Sequence, residues 1–239
     1  MKLILFLSTL IMLNCITLRN LYQRKKVTKP TDETIKNETA KSDIITDRII
    51  FDRYIIHTLK KPVIYLYPEE PMDIKVKLNI KDNKFTTIYP KFNEKNTWNV
   101  HAEPNGDIIL NNKKYPYLFW EAKSYKEQEL NEGFIVTDEN AEEFLEEKLK
   151  ILGLNDKEST DFITFWLPVL LRNKLSLCTF QTEKFFKSFE LNITPKPDSM
   201  IRIFLSIKKL DSPINIKEQK LRSVERTGFT VIEWGGSNF

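Results

Sequence analysis

Ile74-Lys-Val-Lys-Leu-Asn-Ile80 decides the fold class. Apolar side chains fall on every second residue, so an extended chain here buries one face and wets the other. Upstream, Pro62-Val-Ile-Tyr-Leu-Tyr-Pro68 is a short apolar run bounded by prolines, which suits a strand. Downstream, Phe85 to Tyr89 and Trp98 to Ala102 read as further strands. Pro104-Asn-Gly-Asp107 and Asn111-Asn112 are turn signals, because Gly and Asn tolerate the left-handed backbone that tight turns need. Tyr115-Pro-Tyr-Leu-Phe-Trp-Glu121 is another apolar strand, ending on a carboxylate.

The middle of the chain changes period. Asp138 is placed to cap a helix running to Leu152, with Ala141, Phe144, Leu145, Leu149 and Leu152 on one stripe and Gly153 to end it. Asn155 followed by Glu158 has the spacing of a capping box. The helix it opens carries Phe162, Ile163, Phe165 and Trp166 and is expected to stop before Pro168. Strand patterns return at Leu175–Phe180, Phe189–Ile193, Met200–Ile207 and Gly228–Trp234. Strands, a helix pair and strands again predict an α+β fold with largely antiparallel sheets and a central helix pair. One domain is expected over residues 51–239, with Ile49 to Leu59 leading into it as a first strand or short helix.

The formal charge of the 239-residue chain is +4. Residues 19–60 hold ten basic side chains against six acidic ones, which leaves the domain close to neutral. A nucleic-acid-binding domain normally carries a basic face, so that class is set aside. The excess positive charge lies beside an apolar N-terminus, where it can meet anionic lipid. Residues 19–50 are too polar to bury a core and read as a disordered tether.

Within residues 1–18, Lys2 precedes an apolar run from Leu3 to Leu13, the proportions of a secretory signal. The run ends at Cys15, as in a bacterial lipoprotein signal, where cleavage just before the Cys frees its sulfur for diacylglycerol. Asn14 departs from the small residue usual at that position. An uncleaved anchor over Leu3–Leu18 and simple secretion are the alternatives. That anchor is short for a span of about 20 residues, and Arg19 to Lys26 after it would favour a cytoplasmic downstream side.

Lys61-Pro-Val-Ile-Tyr-Leu-Tyr-Pro68, Tyr117-Leu-Phe-Trp-Glu121, Phe165-Trp-Leu-Pro168, Pro195-Lys-Pro-Asp198 and Arg226-Thr-Gly-Phe-Thr-Val-Ile-Glu-Trp-Gly-Gly236 occur in this order. Together they resemble a family of uncharacterised, exported or lipoprotein-type bacterial proteins. The resemblance implies one domain and an envelope setting. It brings no reaction or ligand.

Three side chains are candidates for chemistry. Glu121 follows Trp120 and Glu233 precedes Trp234, and carboxylates beside aromatic platforms are common in carbohydrate sites. A glycosidase needs two such groups about 5–9.5 Å apart. The competing expectation is that Glu121 or Glu233 pairs with Arg202 or Arg226 to hold the sheet. His101 is a candidate general base, with no nucleophile motif near it. Asp156, Glu158 and Asp161 are explained by helix capping, and Gly235-Gly236 reads as a terminal turn. Cys178 reads as a small buried hydrophobe, and no Cys/His spacing calls for a metal or other cofactor. Two functions follow as expectations. The first is a membrane-tethered extracytoplasmic binding or structural module, whose ligand is a glycan or a protein. The second is a cell-envelope glycan hydrolase using paired carboxylates.

Overall fold

The computed structural model describes residues 57–239, apart from Asp82 and Lys126. Cys15, the apolar run, the tether and the start of the expected domain lie outside the described residues. Twelve strands and three helices make up the described part. The strands are β1 (His57–Tyr67), β2 (Met72–Ile80), β3 (Lys84–Tyr89), β4 (Thr97–Ala102), β5 (Ile108–Leu110) and β6 (Lys113–Tyr115), followed by β7 (Leu118–Ser124), β8 (Phe134–Thr137), β9 (Leu175–Phe180), β10 (Phe189–Thr194), β11 (Ser199–Lys209) and β12 (Thr230–Asn238). The helices are α1 (Ala141–Ile151), α2 (Asp156–Asn173) and the single turn α3 (Glu183–Phe186).

Strands dominate. A seven-stranded sheet runs β3-β7-β1-β12-β11-β9-β8, and a five-stranded sheet runs β10-β2-β4-β5-β6. All named pairs are antiparallel except β11 with β12. The alternation at Ile74–Ile80 becomes β2, with Ile74, Val76 and Leu78 turned inward. Asn111 and Asn112 take φ of 52° and 60° and join β5 to β6 in a two-residue hairpin.

The seven-stranded sheet is buried on both faces. One face packs on the five-stranded sheet through Leu59, Ile64, Leu66, Trp120, Phe204 and Val231. The other packs on α1 and α2 through Val63, Tyr65, Ile203, Leu205, Ile232 and Trp234. The expected helix pair is therefore central in the chain but outermost in space. A helix in the middle would leave one sheet without its apolar partner layer.

Local expectations are corrected in four places. First, α1 starts at Ala141 with Asn140 at its cap position, because Asp138 is drawn to Lys174 Nζ at 2.6 Å. Second, α2 runs through Pro168 to Asn173, since Val169 and Leu170 beyond the proline are buried against the sheet. That burial offsets the roughly 3 kcal/mol a proline costs inside a helix. Third, β1 extends on both sides of Pro62, which sits at a register shift where its missing N–H leaves no gap in the ladder.

The fourth correction concerns Gly235 and Gly236, which lie inside β12 rather than in a turn. A Cβ on Gly236 would come within 2.4 Å of the Leu205 carbonyl oxygen and 2.6 Å of Trp166. The glycine lets α2 and β11 close on β12.

Candidate functional site

Parallel pairing of β11 and β12 sets Arg202 directly across from Glu233, both facing the five-stranded sheet. Arg202 Nε donates to Glu233 Oε2 at 2.6 Å, and another guanidinium nitrogen donates to the Phe189 carbonyl at 2.7 Å. The guanidinium lies 4.4 Å from the centre of the Phe186 ring. Trp120 Nε1 donates to the second carboxylate oxygen of Glu233 at 3.0 Å. Glu233 is only 3% exposed, so these donors replace water it has lost. Both its oxygens are occupied in joining β7, β11 and β12 across the inter-sheet core.

Glu121 follows Trp120 by one residue, and strand alternation turns it to the opposite face of the seven-stranded sheet. The two candidate carboxylates therefore do not flank one cleft. His101 stands apart from both, on the water-facing side of the five-stranded sheet. Its Nδ1 is 2.8 Å from Asp73, and its Nε2 is 3.8 Å from Glu103. Arg226 pairs with neither candidate. It grips Glu158 through two nitrogens at 2.8 and 3.1 Å. Glu158 also closes the capping box with Asn155 and is fully buried.

Around Glu121 the sheet presents a row of side chains on its helix-side face. Tyr117, Phe119 and Glu121 alternate along the β7 segment, and Tyr117 and Phe119 are half-buried. Lys61 reaches across from β1. Its Nζ is 3.1 Å from the Tyr117 hydroxyl and lies 5.0 and 5.7 Å from the centres of the Tyr117 and Phe119 rings. Glu121 accepts the Lys61 main-chain N–H at 3.3 Å and the Thr87 hydroxyl at 3.2 Å. Beside this row, the buried Tyr65 packs edge-on to Tyr117 at 5.5 Å and donates its hydroxyl to Asp161 of α2 at 2.9 Å.

The backbone of Lys61 is the unusual feature. Its φ is +55°, inside β1, where the register slips against both neighbouring strands. The other left-handed non-glycine residues sit in turns or next to helix α2: Asn96, Asn111, Asn112 and Lys174. Left-handed backbone costs a side-chain-bearing residue about 1–2 kcal/mol. The residue before a proline is normally held in extended backbone as well. A bulge of this kind re-aims one side chain, and here it lays the lysine over two aromatic rings.

Replacing Lys61 by glycine removes that strain and frees the unfolded chain. The two effects nearly cancel, at about 1 kcal/mol each. We expect the Lys61→Gly protein to melt within a few degrees of the parent or above it. A large fall in melting temperature would show the lysine side chain to be a structural clamp.

Burial, with the nearby Asp161 carboxylate, raises the Tyr65 phenol far above its ordinary value of 10.0. Burial and Glu158 raise Tyr67 likewise. Burial alone raises the Cys178 thiol above 9.0. In each case the folded chain holds its proton where the unfolded chain releases it. The stability this gives is fully present below the ordinary values and lost as pH rises beyond them. Denaturant melts should therefore weaken from about pH 9 upward, by about 1.4 kcal/mol per pH unit for each group once it titrates only in the unfolded chain. In a Cys15→Ala chain, a thiol reagent at pH 8 should leave Cys178 untouched until the protein is unfolded.

A hollow of about 500 Å³ lies elsewhere, between β8 and α1, lined by Phe134, Ile135, Asn140, Glu143, Glu147 and Glu218 among others. Lys148 there pairs with Glu147 at 3.0 Å and rests on Phe134. None of these lining residues has a strained backbone. The row on β7 is the stronger candidate because it holds a left-handed, pre-proline lysine over two aromatic rings. Sequence reasoning found Glu121 but missed Lys61. The signal was present as a charged residue interrupting an apolar strand just before a proline.

Among the described residues, no helix is long and apolar enough to cross a membrane. No group of three or more His, Cys, Asp or Glu residues among them is placed to hold a metal ion.

No family model matches the chain, and no solved structure matches it. A curated protein of Butyrivibrio fibrisolvens, described as "Uncharacterized protein in bglA 3'region", is 47% identical over 62 residues. The match covers 26% of this chain and 64% of that protein, so the chain spans somewhat under two thirds of its relative's length. That similarity brings no activity with it.

Proposed function

We propose that the protein is a membrane-tethered extracytoplasmic binding module of the exported, lipoprotein-type kind its motifs resemble. Its ligand-binding surface is the Tyr117–Phe119–Glu121 row with Lys61 above it. One observation carries this reading: a strained bulge holds a lysine over two half-buried rings beside a carboxylate. Aromatic faces, a carboxylate and an ammonium side by side suit a sugar ring, which offers apolar C–H faces and hydroxyl edges together. The placement of Glu121 and Glu233 on opposite faces supports binding over hydrolysis by that pair.

Binding tests the site. The full chain should co-sediment with insoluble envelope glycan. Tyr117→Ala combined with Phe119→Ala should abolish this while the protein still melts cooperatively. Retention by the doubly substituted protein would place the surface elsewhere. Fractionation tests the tether. Cys15→Ala should move the protein from the membrane to the soluble fraction, and its continued membrane association would point to an uncleaved anchor.

A further inference from the structure

Resting on that reading of the β7 row, we infer that its ligand is an acidic sugar, a ring bearing a carboxylate, which the Lys61 ammonium receives. An ammonium carries three N–H donors and no acceptor. One side of Lys61 Nζ meets the Tyr117 hydroxyl at 3.1 Å. Its rings supply attraction but no negative charge. Among the described residues, no carboxylate lies within 4.0 Å of it, and unlike most lysines it is half-buried.

The carboxylates nearest along the site are engaged with other partners. Glu121 takes the Lys61 main-chain N–H and the Thr87 hydroxyl, and Asp161 takes the Tyr65 hydroxyl. The bulge thus presents a half-buried cation with donors to spare. A ligand carboxylate completes its shell with charge-assisted hydrogen bonds.

The neighbouring charge orients the ligand. Glu121 closes one end of the row, so a ligand's acidic group belongs at the Lys61 ammonium and its hydroxyl edge at Glu121. A lysine is a point charge rather than the planar fork that grips phosphate in two places. A singly charged uronate-type sugar fits this balance. A neutral sugar leaves the ammonium unmatched.

Calorimetric titration of the full chain with tetragalacturonate and with cellotetraose tests the inference. Tetragalacturonate should bind at least tenfold more tightly than cellotetraose, and more weakly as salt rises from 50 to 200 mM. Lys61→Gly should reduce tetragalacturonate binding tenfold or more without lowering the melting temperature. Equal binding of both sugars, or undiminished binding by Lys61→Gly, would overturn the acidic-sugar assignment and leave the binding-module reading standing. Binding of neither by a protein that still co-sediments with envelope glycan would overturn it too. Failure to co-sediment would remove both.

Discussion

Arg202→Met should lower the stability of the domain by about 3–5 kcal/mol, because it strands the Glu233 carboxylate in the core between the sheets. The pair is well buried, with side-chain exposures of 14% for Arg202 and 4% for Glu233. Trp120 remains as a donor to one oxygen, but the compensating charge is gone. For a domain of this size the loss corresponds to a fall in melting temperature of roughly 6–20 °C. Glu233→Gln should cost a similar amount by stranding the guanidinium.

The account also predicts non-additivity. Arg202→Met combined with Glu233→Leu removes both charges and should recover much of the loss of either single change. Glu121→Gln is the control. That carboxylate is half-exposed and its hydrogen bonds are 3.2–3.3 Å, so the change should stay within about 1 kcal/mol. If Arg202→Met and Glu233→Gln both melt like the parent, the pair buried between the sheets does not hold the fold.

The second large effect belongs to Glu158. Its carboxylate accepts the Asn155 main-chain N–H at 2.9 Å and both Arg226 nitrogens, and it is fully buried. Glu158→Ala removes the reciprocal half of the α2 capping box and leaves Arg226 with the Gly153 carbonyl and the Tyr67 ring. The helix start and the segment before β12 loosen together, at about 3–5 kcal/mol. Glu158→Gln separates the two contributions. Glutamine can still close a capping box, so it should lose less than alanine, by roughly the worth of the cap at 0.5–2 kcal/mol. Chemical denaturation of the three proteins measures the order, and equal stability for Gln and Ala would mean the cap contributes nothing.

Local chemistry was readable in the sequence, and distant pairing was not. The Ile74–Ile80 alternation, the Asn111-Asn112 turn and the Asn155–Glu158 capping box each depend on residues a few positions apart, and each forms as read. The expected arginine–carboxylate pairing is met at Arg202 and Glu233. Which arginine meets which carboxylate depends on β11 lying parallel to β12, and a residue period cannot reveal that. Arg226 finds Glu158 from 68 positions away for the same reason.

The split of Glu121 from Glu233 follows from the one-residue step from Trp120 to Glu121, which becomes decisive only once both strands share one sheet. The expected stop before Pro168 does not occur, because the burial of Val169 and Leu170 offsets the local backbone cost. The Lys61 bulge is not legible in the sequence, because a left-handed residue before a proline is the conformation sequence rules discount.

Amide hydrogen exchange tests the placement of the binding surface most directly. The full chain is compared with and without a saturating soluble digest of envelope glycan. The account predicts slowed exchange at the Lys61 amide and along β7 from Leu118 to Lys123, with the hollow between β8 and α1 unchanged. Protection confined to Gly133–Lys148, with the Lys61 bulge and β7 exchanging as before, would contradict it.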